Sequence, residues 1–179
     1  ASIAYSKLVG PILKADMLKV RPHWTAAVPR LWEAIRAGVY RNVNEQGGLK
    51  PVLFDIFVSI GGVYAHLRNM VRGLVPQFKK RIELLDFLIA FIPYILLTPV
   101  NALGQLLVFR KIKYGLMGGR LIGAISGGGA LPPYVDRFFQ AAGILLLEGY
   151  GLTETGPVIS VRLQHRPVAG TVGRVLRDV

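Results

Sequence analysis

Cysteine is absent from this 179-residue chain, so neither a disulfide framework nor a thiolate metal site is available to it. Histidine is scarce. His23, His66 and His165 share no metal-ligand spacing, and each is expected to be a surface or packing residue. Acidic residues are few, 10 against 22 lysines and arginines, which leaves a net charge of +12. Such a balance first suggests nucleic acid, but the basic residues are dispersed and no helix carries a run of five or six. Nucleic acid is therefore not expected as a partner. The denser groups, Lys79-Lys80-Arg81 and Arg110-Lys111-Lys113, flank an apolar stretch, a placement suited to an anionic membrane surface. The N-terminal Ala1-Ser2-Ile3-Ala4-Tyr5 lacks the basic start and apolar core of a signal peptide. A cytoplasmic location is expected, with peripheral attachment to the inner membrane face left open.

The chain is 52% hydrophobic and only 18% charged, and its length suffices for one domain with a real core. Three short apolar stretches, 23–28, 121–125 and 144–147, read as buried strands. Each lacks alternation and ends at glycine or proline, the pattern of parallel strands covered on both faces. Helical patterns lie between them at 29–39, where Arg30, Glu33 and Arg36 fall at helical spacing, and at 132–142, where Pro132 or Pro133 can occupy a first turn. The fold class that follows is α/β, with parallel strands and flanking helices. Phosphate-binding sites in such folds lie beyond the carboxyl ends of the strands.

Residues 42–51, with Gly47-Gly48, read as a loop that opens a mostly helical, apolar insertion at 52–113. The stretch 87–109 contains no charged residue and is long enough to span a bilayer, but Pro93, Pro99, Asn101, Gly104 and Gln105 interrupt it. The expectation is a broken helical hairpin lying on a membrane or against protein. A buried core helix and a true span are the alternatives.

Several chemistries are excluded by motif. Gly123, Gly127, Gly128 and Gly129 are not followed by Gly-Lys-Ser/Thr, so they form no Walker-type loop. No Gly-x-Gly-x-x-Gly follows a strand. Ser126 is not set in Gly-x-Ser-x-Gly and has no histidine near it in sequence, which argues against a nucleophilic serine. No paired acidic residues suggest glycoside chemistry.

What remains is Glu148-Gly149-Tyr150-Gly151-Leu152-Thr153-Glu154-Thr155-Gly156-Pro157, with Ser126-Gly127-Gly128-Gly129-Ala130 upstream. Both fall at the ends of expected strands. The first run closely resembles the adenylate-binding signature of the AMP-forming acyl-CoA synthetases, and the second sits at that family's usual interval. The residue types suit a nucleotide. Glycines let the backbone approach phosphate and ribose and adopt positive φ. The Tyr150 ring offers a face for a base, Thr153 a hydroxyl donor, and Glu154 a hard carboxylate oxygen suited to Mg²⁺.

The resemblance covers nearly the whole chain. Asp16-x-x-Lys19-Val20-Arg21-Pro22 and Ala27-Val28-Pro29-Arg30-Leu31-Trp32-Glu33 are similar to a segment of long-chain acyl-CoA and acyl–acyl carrier protein synthetases. Gly170-Thr171-Val172-Gly173 resembles the turn that follows the signature, although Leu176 stands where a proline is common. By this resemblance Gly127, Gly128, Gly129 and Ala130 belong to the nucleotide site, the last three lining the adenine pocket. Tyr150 stacks on the base, Thr153 contacts the α-phosphate and Glu154 holds Mg²⁺. Gly149 and Gly151 let the backbone close around the nucleotide.

The implied reaction activates a fatty acid with ATP to an acyl-adenylate and AMP, then transfers the acyl group to coenzyme A or acyl carrier protein. Thr153 and Glu154 are the catalytic candidates. The family's phosphate loop with its lysine, and the lysine of its C-terminal lid domain, find no match here. Residues 1–179 are accordingly expected to be an internal fragment of the large N-terminal AMP-binding domain. A non-catalytic membrane-associated relic of the fold, or another adenylating ligase, is the alternative.

Overall fold

A computed structural model describes residues 3–7, 10–76, 83–155 and 158–176. Three parallel strands organise it: β1 (Trp24–Ala27), β2 (Gly123–Ser126) and β3 (Leu146–Tyr150). They lie side by side in chain order, with Ala27 opposite Ser126 and Ser126 opposite Glu148. The ends of β1 and β2 are thus level with Glu148, two residues before the end of β3, which sets the starts of the two motifs next to each other. Two short strands, β4 (Ser160–Val161) and β5 (Arg174–Val175), extend the sheet in antiparallel fashion beyond β3. The expected strands exist, each displaced along the sequence by no more than a few residues. For β3 the displacement has a visible cause: Ile144 and Leu145 lie in the approach to the strand, after a left-handed turn at Gly143. Pairing with β4 then carries the strand on to Tyr150.

Helix α1 (Gly10–Val20) precedes β1, and α2 (Pro29–Glu45) follows it with Pro29 in its first turn, where the missing N–H costs nothing. The loop expected at 42–51 shrinks to four residues, because α2 runs to Glu45 and α3 (Lys50–Val71) starts at Lys50. Side-chain hydrogen bonds bridge the gap: Gln46 donates to Asn42 at 3.0 Å, and Lys50 donates to Gln46 at 3.2 Å. Between β2 and β3, helix α6 (Pro133–Ala141) completes a strand–helix–strand unit.

The core lies between the sheet, helices α2, α3 and α6, and the helix formed by Arg110–Met117. Trp32, Phe139, Val135 and Phe109 are fully buried there, with Trp32 edge-on to Phe139 at 5.6 Å. Edge-to-face rings of this kind add stability beyond the area they bury.

The stretch 52–113 corrects one expectation. Helix α4 (Glu83–Gly104) runs through Pro93 and Pro99, continues as a π-helical segment (Gln105–Phe109), and ends in α5 (Arg110–Met117). The prolines do not break it. Each frees one carbonyl, that of Ile89 or Ile95, and these two residues are 67% and 51% exposed. Helices α3 and α4 do pack together as a hairpin, with Gly104 against the Phe57 ring. A buried core helix is not what forms, since only 11% of the most apolar window of Leu84–Met117 is buried. The π-helical segment is tied to α6. Gln105 donates to the Ala141 carbonyl at 2.7 Å and accepts from Lys113 at 3.2 Å. Burial there holds Lys113 below the ordinary lysine pKa.

Candidate functional site at the ends of the parallel strands

Strand β2 ends at Ser126 and leads directly into the glycine turn, while β3 carries Glu148, Gly149 and Tyr150 at its carboxyl end. The first glycine amide, Gly127 N–H, donates to the Ala27 carbonyl at 3.3 Å, so the turn starts under restraint from β1. Gly128 follows at φ +77°, left-handed backbone that a residue with a Cβ adopts only at a cost. Among the site glycines only this one has positive φ, so the conformational freedom expected at Gly127, Gly129, Gly149 and Gly151 is not used in that way. The space around Gly128 and Gly129 is bordered by Val28 and Pro29, so the segment after β1 forms one wall of the turn. Gly128, Gly129 and Ala130 are exposed, as a surface that receives a ligand must be.

Beyond the pairing of Ser126 with Glu148 in the sheet, a side-chain hydrogen bond ties the end of the glycine turn to the signature. Leu131 N–H, the first amide after Ala130, donates to Glu148 Oε1 at 2.9 Å. The other oxygen of that carboxylate accepts from Arg162 at 2.7 Å, and Arg162 also pairs with Asp136 at 2.8 Å. The three charged side chains are buried together beneath the loops. Ser126 Oγ and Ser160 Oγ are buried nearby on β2 and β4 with no hydrogen-bond partner among the described residues.

Beyond β3 the signature continues into a 3₁₀ turn, Thr153–Thr155. Tyr150 is 48% exposed, so a ring face is open to a planar ligand. Thr153 and Glu154 are exposed as well. The Glu154 carboxylate has no hydrogen-bond or ion-pair partner among the described residues, and its hard oxygens suit Mg²⁺. No cluster of three or more metal-ligating side chains occurs among the described residues. One protein carboxylate completed by phosphate oxygens and water is the usual arrangement for Mg²⁺, so the residues present fit that ion. Gly156 and Pro157 of the signature lie outside the described residues.

After β4 the chain reaches the Gly170–Gly173 stretch. Gly173 sits at φ +85°, where an added Cβ would overlap the Val161 carbonyl, so that turn closes tightly on β4. Asp136, Arg162 and the Leu131 amide were not singled out from the sequence, and Thr171 only as a member of the Gly170–Gly173 turn. The available signal was Arg162 itself, a lone cation between Val161 and Leu163 in an otherwise uncharged stretch.

A family model described as "AMP-binding enzyme" matches residues 5–179. The chain is 32% identical over 171 residues to a protein named probable acyl-activating enzyme 16, chloroplastic, of Arabidopsis thaliana, covering 93% of this chain and 23% of that protein. It is 30% identical over 166 residues to a chloroplastic long-chain-fatty-acid–[acyl-carrier-protein] ligase of the same plant, covering 90% and 23%. Against long chain acyl-CoA synthetase 3, also of Arabidopsis thaliana, identity is 28% over 182 residues, covering 100% and 23%. The chain thus spans about a quarter of the length of these relatives. No solved structure gives a significant match.

Proposed function

The chain belongs to the family of AMP-binding enzymes, and we propose that it forms the nucleotide-binding core of a long-chain fatty acid ligase. The observation that carries the reading is the glycine turn and the signature strand side by side, joined by the Leu131–Glu148 hydrogen bond, at the carboxyl ends of adjacent parallel strands. The chain is a portion of the large AMP-binding domain in this reading, and 52–113 is a helical insertion within it.

In the proposed reaction the fatty acid carboxylate attacks the α-phosphorus of ATP, pyrophosphate leaves, and an acyl-adenylate forms. A thiol of coenzyme A or acyl carrier protein then attacks the acyl carbonyl and AMP leaves. The residues of this chain bind and orient rather than attack. Tyr150 stacks on the adenine, and the exposed Gly128, Gly129 and Ala130 line its pocket, with Gly127 leading into them. Thr153 donates its hydroxyl to the α-phosphate. Glu154 would hold Mg²⁺, which when bound supplies charge neutralisation for the phosphates. The basic balance of the chain favours both polyphosphate substrates and an acidic carrier.

ATP–pyrophosphate exchange by the full-length enzyme tests this, with palmitate, a short aryl acid and an amino acid compared in the presence of Mg²⁺. Exchange with palmitate supports a fatty acid ligase. Exchange only with the aryl or amino acid identifies another adenylating ligase, and none with any acid identifies a relic of the fold.

We further propose a cytoplasmic-side enzyme attached peripherally to an anionic membrane through α4. The supporting observation is its long exposed apolar face, including Leu84, Leu88, Ile89, Ile92 and Leu96, with Arg110 and Lys111 exposed where it ends.

A further inference from the structure

Arg162 is only 2% exposed, and a buried guanidinium persists where its charge and its donors are met. Its Nη1 donates to Asp136 Oδ2 at 2.8 Å, its Nη2 to Glu148 Oε2 at 2.7 Å, and its Nε to the Thr171 carbonyl. Each acceptor sits on a different part of the molecule. Asp136 is in the first turn of α6, just after the glycine turn. Glu148 opens the signature on β3 and, through its second oxygen, pins the Leu131 amide at the end of the glycine turn. Thr171 belongs to the turn that closes on β4, where its hydroxyl also donates to Val168 and accepts from the Gly173 amide. Asp136 is steadied in turn by Gln140 at 3.0 Å, and Gln140 by Asn69 of α3 at 3.2 Å.

Two buried carboxylates share this one cation. Burying such a cluster is an inefficient way to gain stability, since apolar side chains of the same volume often do as well or better. What charged, directional partners add is a defined geometry. A planar fork with three acceptors on three segments admits little sliding of one segment past another. We propose that Arg162 is a positioning residue that fixes the glycine turn against the signature loop, and so sets the register of the two halves of the nucleotide site. The proposal rests on reading those loops as that site. Arg162 itself touches neither nucleotide nor acid; it acts through Glu148 and the Leu131 amide.

The test uses the full-length enzyme and variants Arg162→Met, Arg162→Lys and Asp136→Asn. AMP affinity is measured by calorimetry, KM for ATP and for palmitate by pyrophosphate exchange, and folding by thermal midpoint. A positioning role predicts that Arg162→Met weakens AMP binding and raises the ATP KM by about tenfold or more, while the palmitate KM stays within about twofold. Arg162→Lys recovers part of the loss, because an ammonium keeps the charge but cannot serve both carboxylates and the carbonyl in one plane. Asp136→Asn, which keeps an acceptor for the guanidinium, loses several-fold. Should Arg162→Met fail to fold, the other two variants decide.

Folded variants with wild-type AMP affinity and ATP KM, whatever their thermal midpoints, would overturn the proposal and leave Arg162 a purely structural residue. Equal losses for ATP and palmitate would overturn it too. A wild-type enzyme that binds AMP but activates no fatty acid removes the substrate reading alone, and the AMP affinities still decide on Arg162. No AMP binding by the wild type overturns both.

Discussion

The sheet end and the α3–α4 hairpin treat their side chains in opposite ways. At the sheet end, charged groups are inside: Asp136, Glu148 and Arg162 are buried and meet one another at 2.7–2.8 Å. Along α4, apolar groups are outside: Leu84, Ile89, Ile92 and Leu96 are each 66–68% exposed. Buried ion pairs often add no more stability than apolar packing of the same volume. A long exposed apolar face marks a surface for protein, membrane or ligand. The contrast separates a region whose buried charges are paired with one another from one whose apolar face is open.

The largest expected effect breaks the contrast at its root, in the core both regions share. Trp32 has no exposed surface and joins α2 to α6 against Phe139. Trp32→Ala should cost about 3–5 kcal/mol of unfolding free energy, as for other large core rings. Leu96→Ala on the open face of α4 should stay within about 0.5 kcal/mol in the protein away from lipid. Chemical denaturation of the two variants measures both, and equal losses would mean that α4 is covered in the folded enzyme.

Next in size is Glu154, whose exposed carboxylate is expected to act only when nucleotide and Mg²⁺ are present. Glu154→Gln in the full-length enzyme should cost about 2–4 kcal/mol of transition-state stabilisation with little change in thermal midpoint. Wild-type kcat/KM in that variant would remove the metal role from this residue. The effect is the reverse of that at Trp32: function falls and stability holds.

Those two residues also mark how far the sequence was legible. Glu154 stands in a contiguous run, and a run is visible without knowing the fold. Both loops were correctly set at the ends of parallel strands, because uninterrupted apolar stretches closed by glycine or proline report burial on both faces. The Arg162 network was not visible, since Asp136, Glu148 and Arg162 are far apart in sequence and meet only through α6, β3 and β4. Strands β4 and β5 were missed for a related reason: two-residue strands carry no periodicity. In the stretch 87–109, proline was read as a breaker, yet α4 runs through both prolines where the carbonyls they free belong to exposed residues. Hydropathy showed that 87–109 is apolar but carried no information about what lies against it.

Smaller again is Tyr150, half-exposed at the end of β3. Tyr150→Ala should weaken AMP binding by about 1–3 kcal/mol, the usual worth of one base stacked on an aromatic ring. Because stacking acts in ground and transition states alike, KM for ATP should rise more than kcat falls. Titration with AMP and steady-state kinetics read the split. An unchanged AMP affinity would mean that the base lies elsewhere.

The smallest effect per residue concerns what covers α4. Arg110 and Lys111 are exposed where the apolar face ends, and near an acidic bilayer each cation should add on the order of 1 kcal/mol, less as salt rises. Lys113 is different. It is half-buried, its ammonium donates to Gln105, and burial disfavours its charge, so it should contribute less to a surface than its neighbours. Lys79, Lys80 and Arg81, the other basic group expected to take part, lie outside the described residues. Flotation of the full-length enzyme with liposomes separates the possible covers. Binding that requires anionic lipid, weakens at high salt and drops when Arg110 and Lys111 become glutamine identifies a membrane surface, and Lys113→Gln should then change it least. Equal recovery with neutral vesicles at any salt identifies apolar insertion or a span. No recovery, with α4 protected from hydrogen exchange in the full-length enzyme, means that the rest of the polypeptide covers the face.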